Sequence, residues 1–135
     1  MLATSASDSP SVDLGSKESR EALAKMISQL FDHWGISTAD QCALLGLAPT
    51  SRMTLARYRK GSPLDNSIDL LGRVGHLLGI HKALRIILPH NRDLVYKWPT
   101  APNSTFAGKM PLEIMRSGYE GLLAVRRYLD FERGR

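Results

Sequence analysis

The sequence of 135 residues has one cysteine, few aromatic residues and no long apolar run. Because Cys42 stands alone, no disulfide can form within the chain, and no other cysteine or histidine lies near it at zinc-ligand spacing. No stretch approaches the roughly 20 apolar residues that a membrane-spanning helix needs. Residues 1–17 lack both the basic start and the apolar core of a secretory signal. These absences predict a cytoplasmic protein without redox, metal or membrane chemistry.

The residue patterns that accompany catalysis are also missing. The histidines are scattered, and His76 and His81 are five positions apart, a spacing that does not stack two side chains on one helix face. Gly72 and Gly75 lie too close together for a phosphate-binding loop. No Ser-His-Asp or paired-carboxylate arrangement is visible. The sequence therefore indicates neither an enzyme nor a cofactor-binding protein.

Acidic residues are absent between Asp40 and Asp65. The same interval contains four basic residues: Arg52, Arg57, Arg59 and Lys60. The formal net charge of the whole chain is +5, but a basic total alone does not identify a nucleic-acid-binding protein. The local cluster is more informative, because it predicts a basic patch within about three helical turns.

Apolar residues recur at spacings of three and four along most of the chain, and this periodicity predicts an all-α fold. The first core helix begins near Lys17 and ends at Gly35. A second, short helix begins at residue 37 or 38 and ends at Gly46, and a third occupies residues 50–60. No segment alternates with period two for long enough to predict a strand.

The helices of the second half are predicted to be short. We place a helix end at Gly79, because each glycine inside a helix costs about 1 kcal/mol and several occur in this region. Short helices are then predicted over residues 83–88 and 92–98, each followed by a proline. Beyond a polar loop, a helix begins at residue 111, and a final amphipathic helix runs over residues 119–131.

The first residues differ in composition from the rest of the chain. They are rich in serine, aspartate and proline, and such a segment cannot bury enough apolar surface to offset the entropy of ordering it. We therefore expect a flexible tail over residues 1–16. The remainder is predicted to form a helix-turn-helix lobe over residues 17–80 and a small helical lobe over residues 81–135.

Residues 37–61 have the pattern of a helix-turn-helix, in which the second helix enters the major groove of DNA. Cys42 is small enough for the two helices to pack closely, and Gly46 lets the chain turn. Arginine can pair with guanine, while lysine and hydroxyl groups can hold phosphates. The exposed face of the second helix is therefore predicted to bind DNA through Ser51, Arg52, Thr54, Arg57, Tyr58, Arg59 and Lys60.

Two features leave this interpretation open. Basic residues on an exposed helix often only face solvent, although the absence of acidic residues across the segment favours DNA binding. In addition, residues 48–51 make the turn at least one residue longer than in a tight helix-turn-helix. The sequence does not decide which of the basic side chains would reach the bases.

Two runs of sequence resemble the Xre/MbcA/ParS antitoxin family. The run LLGLAPTSRMTLARYRKG resembles the DNA-binding part of these proteins, and residues 98–135 resemble their toxin-binding domain. The C-terminal match includes Trp98, Pro102, Asn103, Phe106, Gly108, Pro111, Leu112, Glu113, Gly118, Leu129, Asp130, Arg133 and Gly134. The resemblance implies an antitoxin that neutralises a RES-domain toxin, an NAD-consuming enzyme that is encoded by the adjacent gene. It also implies that the antitoxin represses its own operon by binding double-stranded operator DNA as a homodimer, and that it forms a higher-order complex with the toxin.

The resemblance also implies where the toxin binds. In the family, the last residues of the C-terminal domain lie near the entrance of the toxin's active site. The corresponding contact residues here are Arg126, Arg127, Asp130, Glu132, Arg133 and Arg135. Arginine pairs well with the carboxylates or phosphate sites of a pocket that holds NAD.

Two other functions remain compatible with the sequence. One is a stand-alone repressor whose C-terminal lobe serves only for dimerisation. The other is a protein-binding module that has lost DNA binding, which the long turn makes plausible. An adjacent toxin gene favours the antitoxin over the repressor, and salt-dependent binding to the chain's own upstream DNA excludes the protein-binding module.

Overall fold

The computed structural model describes Asp13 and residues 15–135. These residues form seven α-helices: α1 (Lys17–Trp34), α2 (Thr38–Leu45), α3 (Arg52–Arg59), α4 (Ile68–Ile87), α5 (Arg92–Lys97), α6 (Pro111–Met115) and α7 (Tyr119–Arg133). Two short 3-10 helices follow α5, at Trp98–Thr100 and Ser104–Phe106. The described part contains no strand, which confirms the all-α prediction. Most of the tail predicted over residues 1–16 lies outside the described residues.

The ends of the first helices follow local signals in the sequence. Gly35 and Gly46 both adopt the left-handed conformation, with φ of 66° and 71°, and they end α1 and α2 as predicted. At the other end of four helices, a side-chain oxygen accepts a hydrogen bond from a backbone N–H of the first turn. The capping residues are Ser16 for α1, Ser37 for α2, Ser67 for α4 and Asn91 for α5.

The predicted helix end at Gly79 is wrong, because α4 continues for 20 residues through Ile87. The separate helix predicted over residues 83–88 is the last part of α4. Gly72 and Gly79 allow the side chains of Tyr119 and Arg126 in α7 to lie directly against the α4 backbone. A Cβ atom at either glycine would overlap them. This close packing offsets the helix-forming penalty of glycine.

The other helices of the second half begin close to their predicted positions. Helix α5 ends at Lys97, and the chain continues into a 3-10 turn that contains Pro99 instead of stopping before it. Proline fits there because the first positions of a helical turn need no backbone N–H donor. The predicted starts at Pro111 and Tyr119 are confirmed, and α7 extends to Arg133.

One contiguous hydrophobic core joins the two halves of the chain. Helix α4 contacts α1 and α2 on one side and packs along α7 on the other. Val74, Leu77 and Ile80 of α4 have no exposed surface and lie in the same cluster as Leu44 of α2 and Leu122 of α7. The predicted division of the chain between residues 80 and 81 falls within α4, and it stays a prediction.

The residues that the structure describes include neither a candidate membrane span nor a candidate metal site. No helix among them has the length and apolar character that crossing a membrane requires. Within the same part of the chain, no three His, Cys, Asp or Glu side chains come together as metal ligands would.

Candidate nucleic-acid interface and C-terminal surface

Helices α2 and α3 form a helix-turn-helix joined by residues 46–51. The Leu47 N–H donates to the Cys42 carbonyl over 2.8 Å, which closes the end of α2. The Ser51 N–H donates to the Ala48 carbonyl over 2.9 Å and forms a further turn before α3. The connection is therefore longer than the three or four residues of a tight helix-turn-helix, as predicted.

The orientation of α3 is fixed by two buried side chains, Leu55 and Tyr58. The exposed fraction of Tyr58 is 1%, and its hydroxyl accepts a hydrogen bond from the Asp65 N–H over 3.4 Å. Burial raises the pKa of the Tyr58 hydroxyl. The prediction that Tyr58 lies on the DNA-binding face is wrong, because Tyr58 follows Leu55 by three positions and shares its buried side of the helix.

The opposite side of α3 is exposed and carries positive charge without a carboxylate. Arg57 and Lys60 are exposed on it, and Arg52 is exposed at its margin, on the same line of the helix as Arg59. Ser51 and Thr54 are half-buried. Three of the predicted basic residues are thus exposed around the free side of α3, where they can face a polyanion.

Arg59 points elsewhere, because its guanidinium forms an ion pair with Asp32 of α1. Both side chains are about half exposed, so the pair contributes little to stability. Its consequence is geometric: Arg59 is directed towards α1, and Asp32 neutralises its charge. Arg59 thus differs from Arg52 and Arg57, which form no ion pair with any described carboxylate.

At the other end of the molecule, Arg126 of α7 is held against α4. Its guanidinium donates to the Asp130 carboxylate over 3.2 Å and reaches the Gly75 carbonyl over 3.5 Å. One guanidinium nitrogen also lies 3.3 Å from Nδ1 of His76. Burial lowers the pKa of His76, and the positive charge of Arg126 lowers it further. The ring can therefore be neutral and accept this hydrogen bond. Two predicted toxin contacts, Arg126 and Asp130, therefore engage each other.

The last turns of α7 present a different surface. Arg127, Arg133 and Arg135 are exposed. Arg135 also forms an ion pair with Glu132 over 3.0 Å. Phe131 lies among them with 64% of its surface exposed. The predicted C-terminal residues thus form a basic surface with one large apolar side chain.

Comparison with known protein families covers both surfaces. Residues 13–82 match the antitoxin Xre-like helix-turn-helix domain, and residues 83–135 match the antitoxin Xre/MbcA/ParS C-terminal toxin-binding domain. The chain belongs to the Xre-type antitoxins. A relative in Sinorhizobium fredii (strain NBRC 101917 / NGR234), named Uncharacterized protein y4oB, is 35% identical over 108 residues, which is 78% of this chain and 80% of the relative.

The family assignment confirms the resemblance seen in the sequence and places each surface in one of the two matched domains. This Xre-type antitoxin combines a helix-turn-helix domain with a domain that binds a toxin, and neither belongs to an enzyme family. The exposed side of α3 is part of the first domain. The end of α7 is part of the second.

Two exposed apolar residues on these surfaces, Met53 on α3 and Phe131 on α7, were not among the predicted site residues. The exposed fraction is 80% for Met53 and 64% for Phe131. A signal was present in both cases, because each lies off the apolar stripe of its own helix. Met53 is two positions before the buried Leu55, and Phe131 is two positions after the buried Leu129.

Proposed function

We propose that this antitoxin binds and neutralises a RES-domain, NAD-consuming toxin encoded by the adjacent gene. In the same proposal, it acts in the cytoplasm and represses its own operon by binding double-stranded operator DNA as a homodimer. Two copies of α3 would enter successive major grooves. The complex with the toxin would then be of higher order, because each copy of the homodimer carries a toxin-binding domain.

The observation that carries the DNA-binding role is the composition of α3. Leu55 and Tyr58 hold one side of the helix in the core, so the other side is presented to solvent as a rigid surface. That surface carries Arg57 and Lys60, with Arg52 at its margin, and no carboxylate. Arginine side chains on such a helix can reach both guanine acceptors and phosphates.

The toxin-binding role rests on the end of α7. Arg127, Arg133 and Arg135 can pair with carboxylates of the toxin, and Glu132 with its basic groups. Phe131 adds an apolar anchor of the kind that dominates protein interfaces. Arg126 and Asp130 have a different role in this proposal. Asp130 orients Arg126 within α7, and Arg126 contacts the Gly75 carbonyl and His76 of α4 and so positions the other residues.

The Arg57→Ala substitution is expected to weaken binding to the chain's own upstream DNA by about 1 to 3 kcal/mol. Arg52→Ala should have a similar effect, while toxin binding survives in both variants. The matched control is Arg59→Ala, because Arg59 is the same residue type on the same helix but is paired with Asp32. Fluorescence anisotropy at several salt concentrations measures the affinity and the salt slope.

The difference between these arginines distinguishes the free side of α3 from the ion pair with α1. We expect Arg59→Ala to weaken DNA binding by less than about 1 kcal/mol. Equal losses for Arg57→Ala and Arg59→Ala would contradict the assignment of the free side of α3 to DNA. Unchanged, salt-independent binding in all variants would show that α3 makes no phosphate contacts.

A further inference from the structure

A groove of about 1000 Å³ opens between α1, the second half of α4 and α5. Its lining includes several apolar side chains that are partly exposed to solvent. Met26 of α1 is 49% exposed and Ile86 of α4 is 45% exposed. The groove residues used below are Met26, His81, Lys82, Arg85, Ile86, Arg92 and Tyr96. Partly exposed apolar residues that lie together in a concave surface are typical of a binding site.

The rim of this groove is positively charged. Lys82 and Arg85 contribute from α4, and Arg92 contributes from α5. Among the described residues, no carboxylate forms an ion pair with any of these three side chains. An apolar floor with an unneutralised basic rim is complementary to a segment that combines an apolar residue with carboxylates.

The walls of the groove argue against a nucleotide or a nucleic-acid base. Tyr96 is its aromatic residue, and the Tyr96 ring already contacts other side chains. The ring of His33 stacks on it at 4.3 Å between centroids and that of His81 at 5.2 Å, each inclined by 17°, and the guanidinium carbon of Arg92 lies 5.9 Å from its centroid. A base would have to displace these side chains in order to stack on Tyr96.

The position of the groove also separates it from the DNA-binding surface. On α1, Met26 and His33 lie towards the groove, whereas Lys25 and Asp32 lie towards α3. Each residue of a helix turns the side-chain direction by about 100° around the helix axis. Met26 and His33 therefore point roughly 100° away from Lys25 and Asp32. The concave apolar floor also differs from the polar surfaces that follow a phosphate backbone.

We propose that this groove receives an acidic segment of the toxin, with an apolar side chain between Met26 and Ile86 and carboxylates opposite Lys82, Arg85 and Arg92. The inference rests on the proposed function and extends it, because it adds a second toxin contact beside the side of α4 that packs on α7. The match to a toxin-binding domain begins at residue 83 and so includes Arg85, Ile86, Arg92 and Tyr96 of the groove. A toxin that occupies both the groove and the end of α7 would hold the antitoxin by two surfaces.

Thiol footprinting of the full-length protein in its complexes tests this directly. The native Cys42 has no exposed surface, so an introduced cysteine is the reactive thiol. Ile86→Cys places that thiol in the groove, and Met53→Cys places one on the exposed side of α3. Each variant is labelled with a maleimide alone, with the co-expressed toxin and with the chain's own upstream DNA.

We expect the toxin to slow labelling at position 86 about tenfold, because access controls the reaction of a thiol, while DNA leaves it unchanged. At position 53 we expect the reverse. If position 86 is labelled in the toxin complex as fast as in the free protein, the groove assignment is overturned while the proposed function stands. The same holds if DNA, and not the toxin, protects position 86. If the wild-type protein forms no complex with the toxin, the proposed function fails and this inference fails with it.

Charge reversal gives an independent readout. Arg85→Glu should weaken toxin binding about tenfold, because it sets a carboxylate against the acidic segment. The control Lys17→Glu makes the same charge change at an exposed residue at the start of α1, and it should leave toxin binding unchanged. Equal effects of the two substitutions would show that only the net charge matters and would contradict the groove.

A different observation, the exposure of Met53, carries a second inference. Met53 and Lys60 are seven positions apart and lie on one line along α3, since seven residues make almost two helical turns. The buried residues Leu55 and Tyr58 lie on the other side of the helix. Met53 therefore points almost directly away from the core, at the first turn of the helix, with 80% of its surface exposed.

We infer that Met53 is a specificity-determining residue that contacts the 5-methyl group of a thymine in the operator. The first turn of a recognition helix contacts base edges, and the thymine methyl is the apolar group that the major groove presents. The small Ala56 beside Met53 on the exposed side leaves room for the base. This inference rests on the proposed DNA binding.

Replacing thymine by deoxyuridine removes this methyl group and tests the contact. The probe is the chain's own upstream DNA, synthesised with thymine or with deoxyuridine. Met53→Ala should weaken binding to thymine DNA about fivefold. The loss of affinity on replacing thymine by deoxyuridine should be about fivefold smaller in Met53→Ala than in the wild-type protein. Ile68→Ala, at a 95% exposed residue outside α3, is the control and should bind both DNAs like the wild type.

If replacing thymine by deoxyuridine weakens binding of Met53→Ala as much as it weakens binding of the wild-type protein, the two changes are independent and the proposed contact is overturned. The proposed contact would also be overturned if Met53→Ala bound thymine DNA as tightly as the wild-type protein does. If the wild-type protein fails to bind either DNA, the proposed operator binding fails first, and that result is distinct from a failure of Met53 alone.

Discussion

Substitution of Gly121 by alanine is expected to lower the free energy of unfolding by about 3 kcal/mol. A Cβ at this position of α7 would overlap the backbone carbonyl oxygen of Ile114 in α6. A backbone carbonyl cannot rotate away as a side chain can, so α6 and α7 would have to separate. The helix-forming advantage of alanine recovers only about 1 kcal/mol of the larger steric cost. Urea denaturation should show a midpoint lower by about 2 M.

The Gly79→Ala substitution is the matched control for this prediction. It also introduces a Cβ into a helix at a crowded site, but the group that it would meet is the guanidinium of Arg126. A flexible side chain can move aside, so we expect the free energy of unfolding to change by less than about 1 kcal/mol. Equal destabilisation by the two substitutions would contradict the close contact between α6 and α7.

Removal of residues 131–135 is expected to weaken toxin binding about 100-fold, or roughly 3 kcal/mol. The deletion removes the exposed Phe131 together with Arg133 and Arg135. It leaves Leu129, the last buried residue of α7, in place. The expected loss is therefore at the interface and not in the core. Co-purification with the toxin and NAD depletion in cells measure the effect.

Two measurements separate a lost contact from a damaged fold in the shortened protein. The urea midpoint should stay close to that of the full chain, because the deleted residues are mostly exposed. Binding to the upstream DNA should also be retained. Intact neutralisation of the toxin by the shortened protein would contradict the role of the C-terminal residues.

The first three helices were predictable from sequence because their limits depend on local chemistry. Gly35 and Gly46 end helices through their own left-handed conformation, and Ser37 caps α2 through a hydrogen bond to a residue three positions later. Such signals lie within one turn of the position that they control. The helix-turn-helix and its long turn could be predicted for the same reason.

The continuity of α4 could not be predicted in this way. The three glycines in its sequence argue locally for a helix end, but the packing that offsets them comes from α7. Gly72 contacts Tyr119 and Gly79 contacts Arg126, each about 47 positions further along the chain. The periodicity of the α4 sequence shows the cost of its glycines but not the packing against α7 that offsets this cost.

The candidate DNA-binding face was only partly predictable, because the sequence does not show which side of α3 the core covers. Tyr58 was assigned to the exposed face as a phosphate-binding hydroxyl, although its ring fills the core. Arg59 was grouped with the other arginines, although Asp32, 27 positions earlier, forms an ion pair with it. Met53 was left without a role, although it projects from the exposed face. For Tyr58 and Arg59 the missing information is the packing of α3 against the rest of the molecule, whereas the exposure of Met53 could have been inferred from its position off the apolar stripe of α3.

Co-purification of this antitoxin with the tagged toxin that we propose the adjacent gene encodes tests the central proposal most directly. We expect one stable complex that does not deplete NAD, and NAD depletion when the proposed toxin is expressed alone. Separate elution of the two proteins, with NAD depletion undiminished, would contradict the proposal.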